Sequence, residues 1–269
     1  MAIILEGGCR VAEMREGAPV KHGTLRLWNQ IGRATGAQAI SLRIMEFVPG
    51  LSPGIQNGEC DEILYVLDSS RESARAGDSE VSTTRGSGWV SVLIDGRPHE
   101  VHADTGIYLR PGETFAVDNP GPDSVTVISS QCPDPDRVPQ FVVFPAVDST
   151  RPDRSPIVRL DDQPSVPTAD RWYRVLIDDE VGSTQVTQFV GSIPPGRAPD
   201  HFHNYEEVLF ILKGEGRMWA GDTNTPIGAG SCIYLPKGQV HCVENAGEGE
   251  LRLLGVFYPA GSPSVRYDV

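Results

Sequence analysis

The chain contains four short segments that occur twice, in the same order and at similar spacing. The paired segments are Phe47–Gly54 with Phe189–Gly196, Glu62–Leu67 with Glu207–Leu212, Gly106–Gly112 with Ser231–Gly238, and Asn119–Gly121 with Asn245–Gly247. A long-range repeat of this kind indicates two copies of one structural unit. The repeat therefore predicts two domains of the same architecture, at 1–132 and 169–269. A proline-rich connection would join them at 133–168.

The composition favours strands over helices in both copies. Glycine and proline together make up 51 of the 269 residues (29 and 22), and neither is well tolerated inside a helix. Short runs rich in Val, Ile, Leu, Phe, Trp and Thr recur between turn residues, and no segment has a sustained 3.6-residue apolar period. The predicted strands are Thr24–Trp28, Ala39–Val48, Glu62–Leu67, Trp89–Ile94, Ser124–Ser129, Tyr173–Ile177, Thr184–Val190, Glu207–Leu212 and Leu251–Tyr258. The sequence therefore predicts an all-β protein, a sandwich or a barrel in each copy.

Charge and cysteine usage exclude several classes of protein. The chain has 23 basic and 36 acidic residues, a net charge of −13, so neither nucleic acid nor an anionic membrane surface is an expected partner. Five cysteines without a CxxC pair indicate neither a disulfide framework nor a zinc ribbon. We find no secretory leader and no apolar stretch long enough to span a membrane. The expected location is cytoplasmic.

Histidines are concentrated in the second copy, where three of the six lie in two short stretches. His201 and His203 are two residues apart, so on a strand both side chains point to one side. Glu207 shares their parity, and His241 comes from a later strand that could close the site across a barrel. Three imidazoles and one carboxylate suit one divalent transition metal: Mn, Fe, Ni, Cu or Zn.

Each of these residues is also compatible with a purely structural role, as a surface or core residue that binds no metal. A lone histidine in a β domain is more often a surface or core residue than a ligand, and an HxH pair alone is weak evidence. The combination with Glu207 and His241 is what favours metal binding. Glu206 has the opposite parity and is expected to point outward. Cys242 should point away from the metal, and Cys232 is expected to be a small buried hydrophobe.

The two stretches resemble the two signature motifs of the cupin superfamily, G(X)5HXH(X)3–4E(X)6G and G(X)5PXG(X)2H(X)3N. The second motif matches at every fixed position, from Gly230 through His241 to Asn245. The first matches from His201 to Gly214, although Gly196 lies one residue closer to His201 than the motif requires. The whole chain thus resembles a bicupin, a polypeptide with two cupin barrels.

This resemblance implies two tandem jelly-roll β-barrels, with a metal near the wider mouth of the second. It carries His201, His203, Glu207 and His241 over as the metal ligands. It further implies a metalloenzyme that acts on a small organic acid or phenolic molecule, with a dioxygenase-like oxidoreductase as the first choice. A cupin isomerase or aminohydrolase is one alternative, and a non-catalytic binding or storage-like protein with a structural metal is the other. The resemblance also allows a homodimer, since cupins often pair through sheet edges.

The first copy lacks the metal-binding pattern. An alignment that counts back from Glu62 places Gln56 and Gly58 at the positions of His201 and His203. An alignment that counts forward from Gly54 places Glu59 and Asp61 there. Neither alignment supplies a histidine. The position of His241 falls near Phe115 or Ala116. We therefore predict that the first barrel holds no metal, and a second site built from His99 and His102 has little support. The first copy also carries an insertion at Asp68–Arg85, expected to be a solvated surface loop, with a lid as the alternative.

Overall fold

The structure of the protein is a computed structural model, which describes residues 1–67, 89–143, 147, 154–265 and 267–268. The predicted insertion at Asp68–Arg85 lies outside these described residues. Within them the chain is built of β-strands and short 3₁₀ helices, which confirms the all-β prediction. No helix in the described part of the chain has the length and apolar character that a membrane crossing requires.

The strands are short and are separated by turns that contain glycine, proline or aspartate. Those of the first 143 residues are β1 (Ile3–Ile4), β2 (Arg10–Glu13), β3 (Val20–His22), β4 (Leu25–Ile31), β5 (Leu42–Phe47), β6 (Gly50–Leu51), β7 (Gly54–Gln56), β8 (Asp61–Leu67), β9 (Trp89–Ile94), β10 (Arg97–His102), β11 (Thr105–Leu109), β12 (Thr114–Asn119), β13 (Val125–Cys132) and β14 (Gln140–Val142).

The remaining strands repeat this series in the second half of the chain. They are β15 (Ile157–Arg159), β16 (Val166–Thr168), β17 (Arg171–Ile177), β18 (Thr187–Ile193), β19 (Gly196–Arg197), β20 (His201–Phe202), β21 (Glu206–Lys213), β22 (Glu215–Ala220), β23 (Thr223–Gly228), β24 (Ser231–Leu235), β25 (His241–Asn245), β26 (Leu251–Tyr258) and β27 (Tyr267–Asp268). The 3₁₀ helices are Glu6–Gly8, Arg33–Thr35, Leu160–Asp162 and Asp179–Val181.

Each half forms a barrel from two facing antiparallel sheets. In the first, the sheet β15-β11-β8-β13-β5-β4-β3 faces the sheet β10-β9-β12-β7-β14. Side chains of both sheets, among them Phe47, Ile107 and Phe115, share one buried apolar cluster. In the second, the sheet β1-β2-β24-β21-β26-β18-β17-β16 faces the sheet β23-β22-β25-β20-β27 around a cluster that includes Phe189 and Phe257. These are the two tandem jelly-roll barrels that the sequence predicts.

The two barrels exchange strands. β2 precedes the first barrel in sequence but pairs with β24 of the second, with Arg10 opposite Tyr234. β15 precedes the second barrel but pairs with β11 of the first, with Arg159 opposite Thr105. The proline-rich connection contains strand β14, which pairs with β7 of the first barrel. The exchange crosses the boundaries predicted between the two domains and the connection.

A third apolar cluster lies between the barrels and draws on both of them. It includes Trp28, Tyr65 and Tyr108 of the first barrel and Phe210 and Tyr234 of the second. Together with the exchanged strands, this shared core makes the two barrels one packed body. The metal-binding motif therefore sits on a scaffold that residues from both halves of the chain support.

Candidate metal centre

Three histidines of the second barrel converge on one point. His201 in β20 lies directly opposite His241 in β25, because these two strands pair in antiparallel register. His203 follows two residues after His201, in the turn before β21. One ring nitrogen from each of the three lies within 4.8 Å of the others, and His203 and His241 are both buried. A local HxH pair and a distant strand thus supply one cluster.

Glu207 completes the cluster from the next strand. It is the second residue of β21, and its Oε2 lies 3.6 Å from His203 Nε2 and 3.8 Å from His241 Nε2. These separations are too long for hydrogen bonds. Two donors that share one ion at about 2.1 Å lie roughly 3 to 3.5 Å apart. The Glu207 carboxylate therefore lies close enough to His203 and His241 to share one ion with them.

Backbone carbonyls select the tautomer of two of the histidines. His241 Nδ1 lies 2.8 Å from the carbonyl oxygen of Gln239, and His201 Nδ1 lies 3.0 Å from that of Pro199. A carbonyl only accepts hydrogen bonds, so each Nδ1 carries the proton and each Nε2 carries the lone pair. Histidine ligands of metals are held in this way. His201 and His241 are therefore already in the tautomer that metal binding needs.

Burial sets the charges of the cluster. It lowers the pKa of His203 to about 4 and that of His241 to about 3, and the nearby imidazole of His201 acts in the same direction. Burial raises the pKa of the Glu207 carboxyl to about 8. The site thus combines neutral imidazoles with a carboxylate that ionises reluctantly when no cation is near. A divalent cation would supply the missing positive charge, so the donor set fits a first-row transition ion.

The cluster forms the floor of a cavity of about 130 Å³ inside the second barrel. This volume is below the 300 to 1,000 Å³ typical of sites for drug-sized ligands, so the cavity suits a small molecule. Its walls are mostly apolar, and Arg171 lies on its lining. The apolar wall residues are Phe189, Ile193, Ala198, Leu209, Val243, Leu253 and Phe257.

Comparison with known proteins agrees with this architecture. The family model described as "Cupin domain" matches residues 189–257. Solved structures of oxalate decarboxylase superpose on both barrels. A Bacillus subtilis mutant has a TM-score of 0.72 at 14% identity over 94% of this chain and 78% of that one, and the Lactobacillus farciminis formate complex has 0.71 at 12% over 94% and 87%. The chain has the two-barrel fold of a bicupin, and its second barrel contains the cupin domain.

Two sequence relatives match short parts of the chain. Auxin-binding protein 1 of Arabidopsis thaliana is 32% identical over 83 residues, which are 27% of this chain and 42% of that protein. The oxalate-binding protein of Thermotoga maritima is 36% identical over 66 residues, 24% of this chain and 54% of that protein. The match thus spans about half the length of each relative.

Several residues lie where the sequence analysis expects them. Glu206 points away from the cavity, where its carboxylate accepts hydrogen bonds from the backbone N–H groups of Gln38 (2.8 Å) and Ala39 (2.7 Å) and from Tyr234 Oη. Cys242 also points away, since its sulfur lies 3.2 Å from Arg197 Nε on the outer face of the sheet. Cys232 is fully buried in the core between the barrels.

The first barrel of the bicupin has a different set of residues at the equivalent positions. Strand register places Ile55 opposite Phe115, as His201 lies opposite His241, so the counterpart of His201 is Ile55 rather than Gln56 or Glu59. Gly58 accepts a hydrogen bond from Gly112 as His203 does from Gly238, which makes Gly58 the counterpart of His203. The counterpart of Glu207 is Glu62, because each pairs with the last leucine of the neighbouring strand.

The sequence analysis did not single out Arg171 of the second barrel or Arg43 of the first. Arg43 Nη2 lies 2.7 Å from Glu62 Oε1 inside the first barrel. For Arg171, alternation along β17 with the buried Tyr173 could have indicated an inward side chain. Nothing in the sequence indicates which distant residues either arginine contacts. Among the described residues, His201, His203 and His241 are the one group of three or more potential ligands, and His99 and His102 belong to no such group.

Proposed function

We propose that this bicupin is a metal-dependent enzyme that acts on a small organic acid or phenolic molecule in the second barrel. His201, His203, Glu207 and His241 would hold one divalent transition ion. One observation carries the proposal: the four donors converge at the floor of a cavity and not in a sealed core. Coordination positions that the protein leaves free therefore face the cavity, where a substrate atom has room to bind.

The cavity favours chemistry that takes place at the metal itself. Apart from the four proposed ligands, the ionisable side chains among its described lining residues are Arg171 and Tyr173. Neither is a histidine or a carboxylate, the side chains that most often act as general bases near neutral pH. A bound redox-active ion would supply electron-transfer or Lewis-acid chemistry. The apolar walls, with Phe189 and Phe257 among them, exclude bulk water. This arrangement supports a dioxygenase-type oxidation ahead of an isomerase or aminohydrolase.

A non-catalytic binding protein is the second candidate. The two sequence relatives are named for binding auxin and oxalate, and the cavity offers few groups for acid–base catalysis. In this case the ion would fix a ligand without converting it. A homodimer and a cytoplasmic location remain predictions for either function.

Elemental analysis and paired assays distinguish these functions. The protein, loaded separately with Mn, Fe, Ni, Cu and Zn, is incubated with a panel of small acids and phenols in air and without oxygen. We expect about one ion per chain and oxygen-dependent loss of a panel compound with one of the redox-active metals. His203→Ala should abolish both, and His99→Ala, which changes a histidine outside the cluster, should change neither.

Each outcome separates the candidates. Turnover that is equal with and without oxygen would refute the oxidation and favour a decarboxylase, isomerase or hydrolase. Tight binding without turnover would support the binding protein. A chain that takes up no ion, or one whose His203→Ala variant keeps it, would refute the metal centre itself.

A further inference from the structure

We propose that Arg171 selects the substrate, and that this substrate is a monocarboxylate with an apolar body and a second oxygen donor. The inference rests on the proposed function, since it assumes that ligands enter the cavity above the four metal-binding side chains. It goes further in naming the chemical class of the ligand and the residue that recognises it. It also distinguishes this site from one built for oxalate.

Strand register directs Arg171 into the barrel. Arg171 is the first residue of β17, in which alternate side chains point to opposite faces. Tyr173 belongs to the apolar core of the second barrel, and Val175 packs against it. Arg174 has the opposite parity and lies on the outer face, where it donates to the Leu160 carbonyl oxygen at 3.0 Å and lies over the Trp172 ring. Arg171 therefore shares the inward face of Tyr173 and reaches the cavity lining.

The guanidinium of Arg171 has more N–H donors than its contact with Asp170 uses. Its side chain is 20% exposed, and Nε donates to Asp170 Oδ1 at 2.9 Å. That bond uses one of five N–H groups and leaves the Nη1–Nη2 edge of the guanidinium for another acceptor. A carboxylate matches this edge with two parallel hydrogen bonds. Among the described side chains that line the cavity, Arg171 is the one lysine or arginine.

The cavity walls favour a ligand with an apolar body. Phe189, Leu209, Leu253 and Phe257 are among the lining side chains, and the hydroxyl side chains of the described lining are Thr168, Tyr173, Ser192 and Ser264. A carboxylate oxygen placed against the apolar side chains would lose its hydrogen bonds to water without replacement, which weakens binding. Oxalate presents four charged or polar oxygens and no apolar surface, so the walls disfavour it. A single aromatic ring or a branched alkyl group gains from the same burial.

One arginine, the metal-binding cluster and mostly apolar walls define the complementary ligand. Its carboxylate pairs with Arg171, its ring or branched chain contacts the phenylalanine and leucine walls, and its second oxygen points to the histidine cluster. Hydroxyaryl and hydroxyalkyl acids have this pattern. Phenol lacks the carboxylate, and oxalate lacks the apolar body.

Calorimetric titration of the Zn²⁺-loaded protein with 4-hydroxybenzoate, phenol and oxalate tests the proposal. We expect 4-hydroxybenzoate to bind more tightly than either of the other probes. Arg171→Gln should weaken its binding by about 10- to 100-fold, the range for losing hydrogen bonds to a charged group. The Zn²⁺ content should stay unchanged. Arg174→Gln, three residues along on the outer face of the same strand, is the matched control and should change the affinity less than twofold.

The outcomes separate this proposal from the metal centre. If Arg171→Gln and the parent chain bind 4-hydroxybenzoate equally, or if oxalate binds more tightly, the assignment of Arg171 and of the ligand class is wrong. The same titrations on His203→Ala, without metal, show whether the Arg171→Gln loss persists. A loss that persists there supports the arginine contact even if the chain takes up no Zn²⁺. The absence of any binding by 4-hydroxybenzoate to Zn²⁺-loaded protein would overturn the proposal and leave the metal centre standing.

Discussion

The guanidinium of Arg43 lies 2.7 Å from the carboxylate of Glu62 in the interior of the first barrel, and both side chains are almost fully buried. Glu62 is the counterpart of Glu207, the carboxylate at the proposed metal site of the second barrel. Ser129 also donates to Glu62 Oε1 at 2.7 Å, and Gln131 donates to Oε2 at 3.0 Å. In the first barrel the guanidinium of Arg43 thus balances the negative charge of Glu62. In the second barrel a metal ion would balance the charge of Glu207.

The Arg43–Glu62 pair predicts a strong stability effect in the first barrel. Arg43→Leu leaves a buried carboxylate without its cation, so the free energy of unfolding should fall by about 3–5 kcal/mol. The double variant Arg43→Leu, Glu62→Leu removes both charges and should recover more than half of this loss. Urea denaturation followed by circular dichroism measures both. A loss below 1 kcal/mol in the single variant would contradict the role assigned to Arg43.

The same pair predicts that the first barrel binds no metal. Ile55, Gly58 and Phe115 stand at the positions of the three histidines, and the one retained carboxylate is already neutralised by Arg43. The double variant His203→Ala, His241→Ala should therefore contain less than about one tenth of an ion per chain by elemental analysis. A stoichiometric ion retained in that variant would reveal a site that includes His99 or His102.

The raised pKa of Glu207 predicts an unusual pH dependence for metal-free protein. Its folded-state pKa of about 8 lies above its ordinary value of 4.5, so the folded chain binds this proton more tightly than the unfolded chain. The resulting stabilisation is complete below pH 4.5 and is lost as the pH rises to about 8. Glu207→Gln does not ionise, so it should become more stable than the parent chain across this range, by several kcal/mol at pH 8.

Saturating metal should make the parent chain more stable than Glu207→Gln, which reverses their order of stability without metal. The parent chain gains binding energy from the ion, and Glu207→Gln has lost the charged ligand that attracts it. Chemical denaturation at pH 5 and pH 8, with a chelator and then with Zn²⁺, gives the four free energies needed. A stability difference between the two metal-free proteins that does not change with pH would disprove the assigned pKa.

Substitution of Glu206 should lower the stability of the chain without affecting the metal site. Its carboxylate accepts from the backbone of Gln38 and Ala39 in the first barrel and from Tyr234 in the second, so it connects the two barrels. Glu206→Ala leaves these donors buried without an acceptor and should destabilise the chain by about 1–3 kcal/mol. Metal content should remain at the parent level. A variant that loses its ion instead would place Glu206 among the ligands.

Much of the fold and of the candidate site follows from local sequence patterns. The runs at Trp89–Ile94 and Leu251–Tyr258 are strands with the predicted bounds, because apolar residues between turn formers favour extended structure whatever surrounds them. The repeat pairs Glu62 with Glu207, and strand register confirms this equivalence. The parity of His201, His203 and Glu207 likewise places Glu206 on the other face, since adjacent side chains on a strand point in opposite directions.

Only the tertiary structure decides which distant strands become neighbours. The pairing of β2 with β24 and of β15 with β11 joins residues more than fifty positions apart, and no local pattern specifies the partner of an exposed strand edge. The same holds for Arg43 beside Glu62 and for Arg171 in the lining of the cavity that also includes the histidine cluster. Alternation along a strand determines the face on which a side chain lies. Packing of the whole chain determines what that face meets, because burial and charge compensation depend on groups brought together from far apart in the sequence.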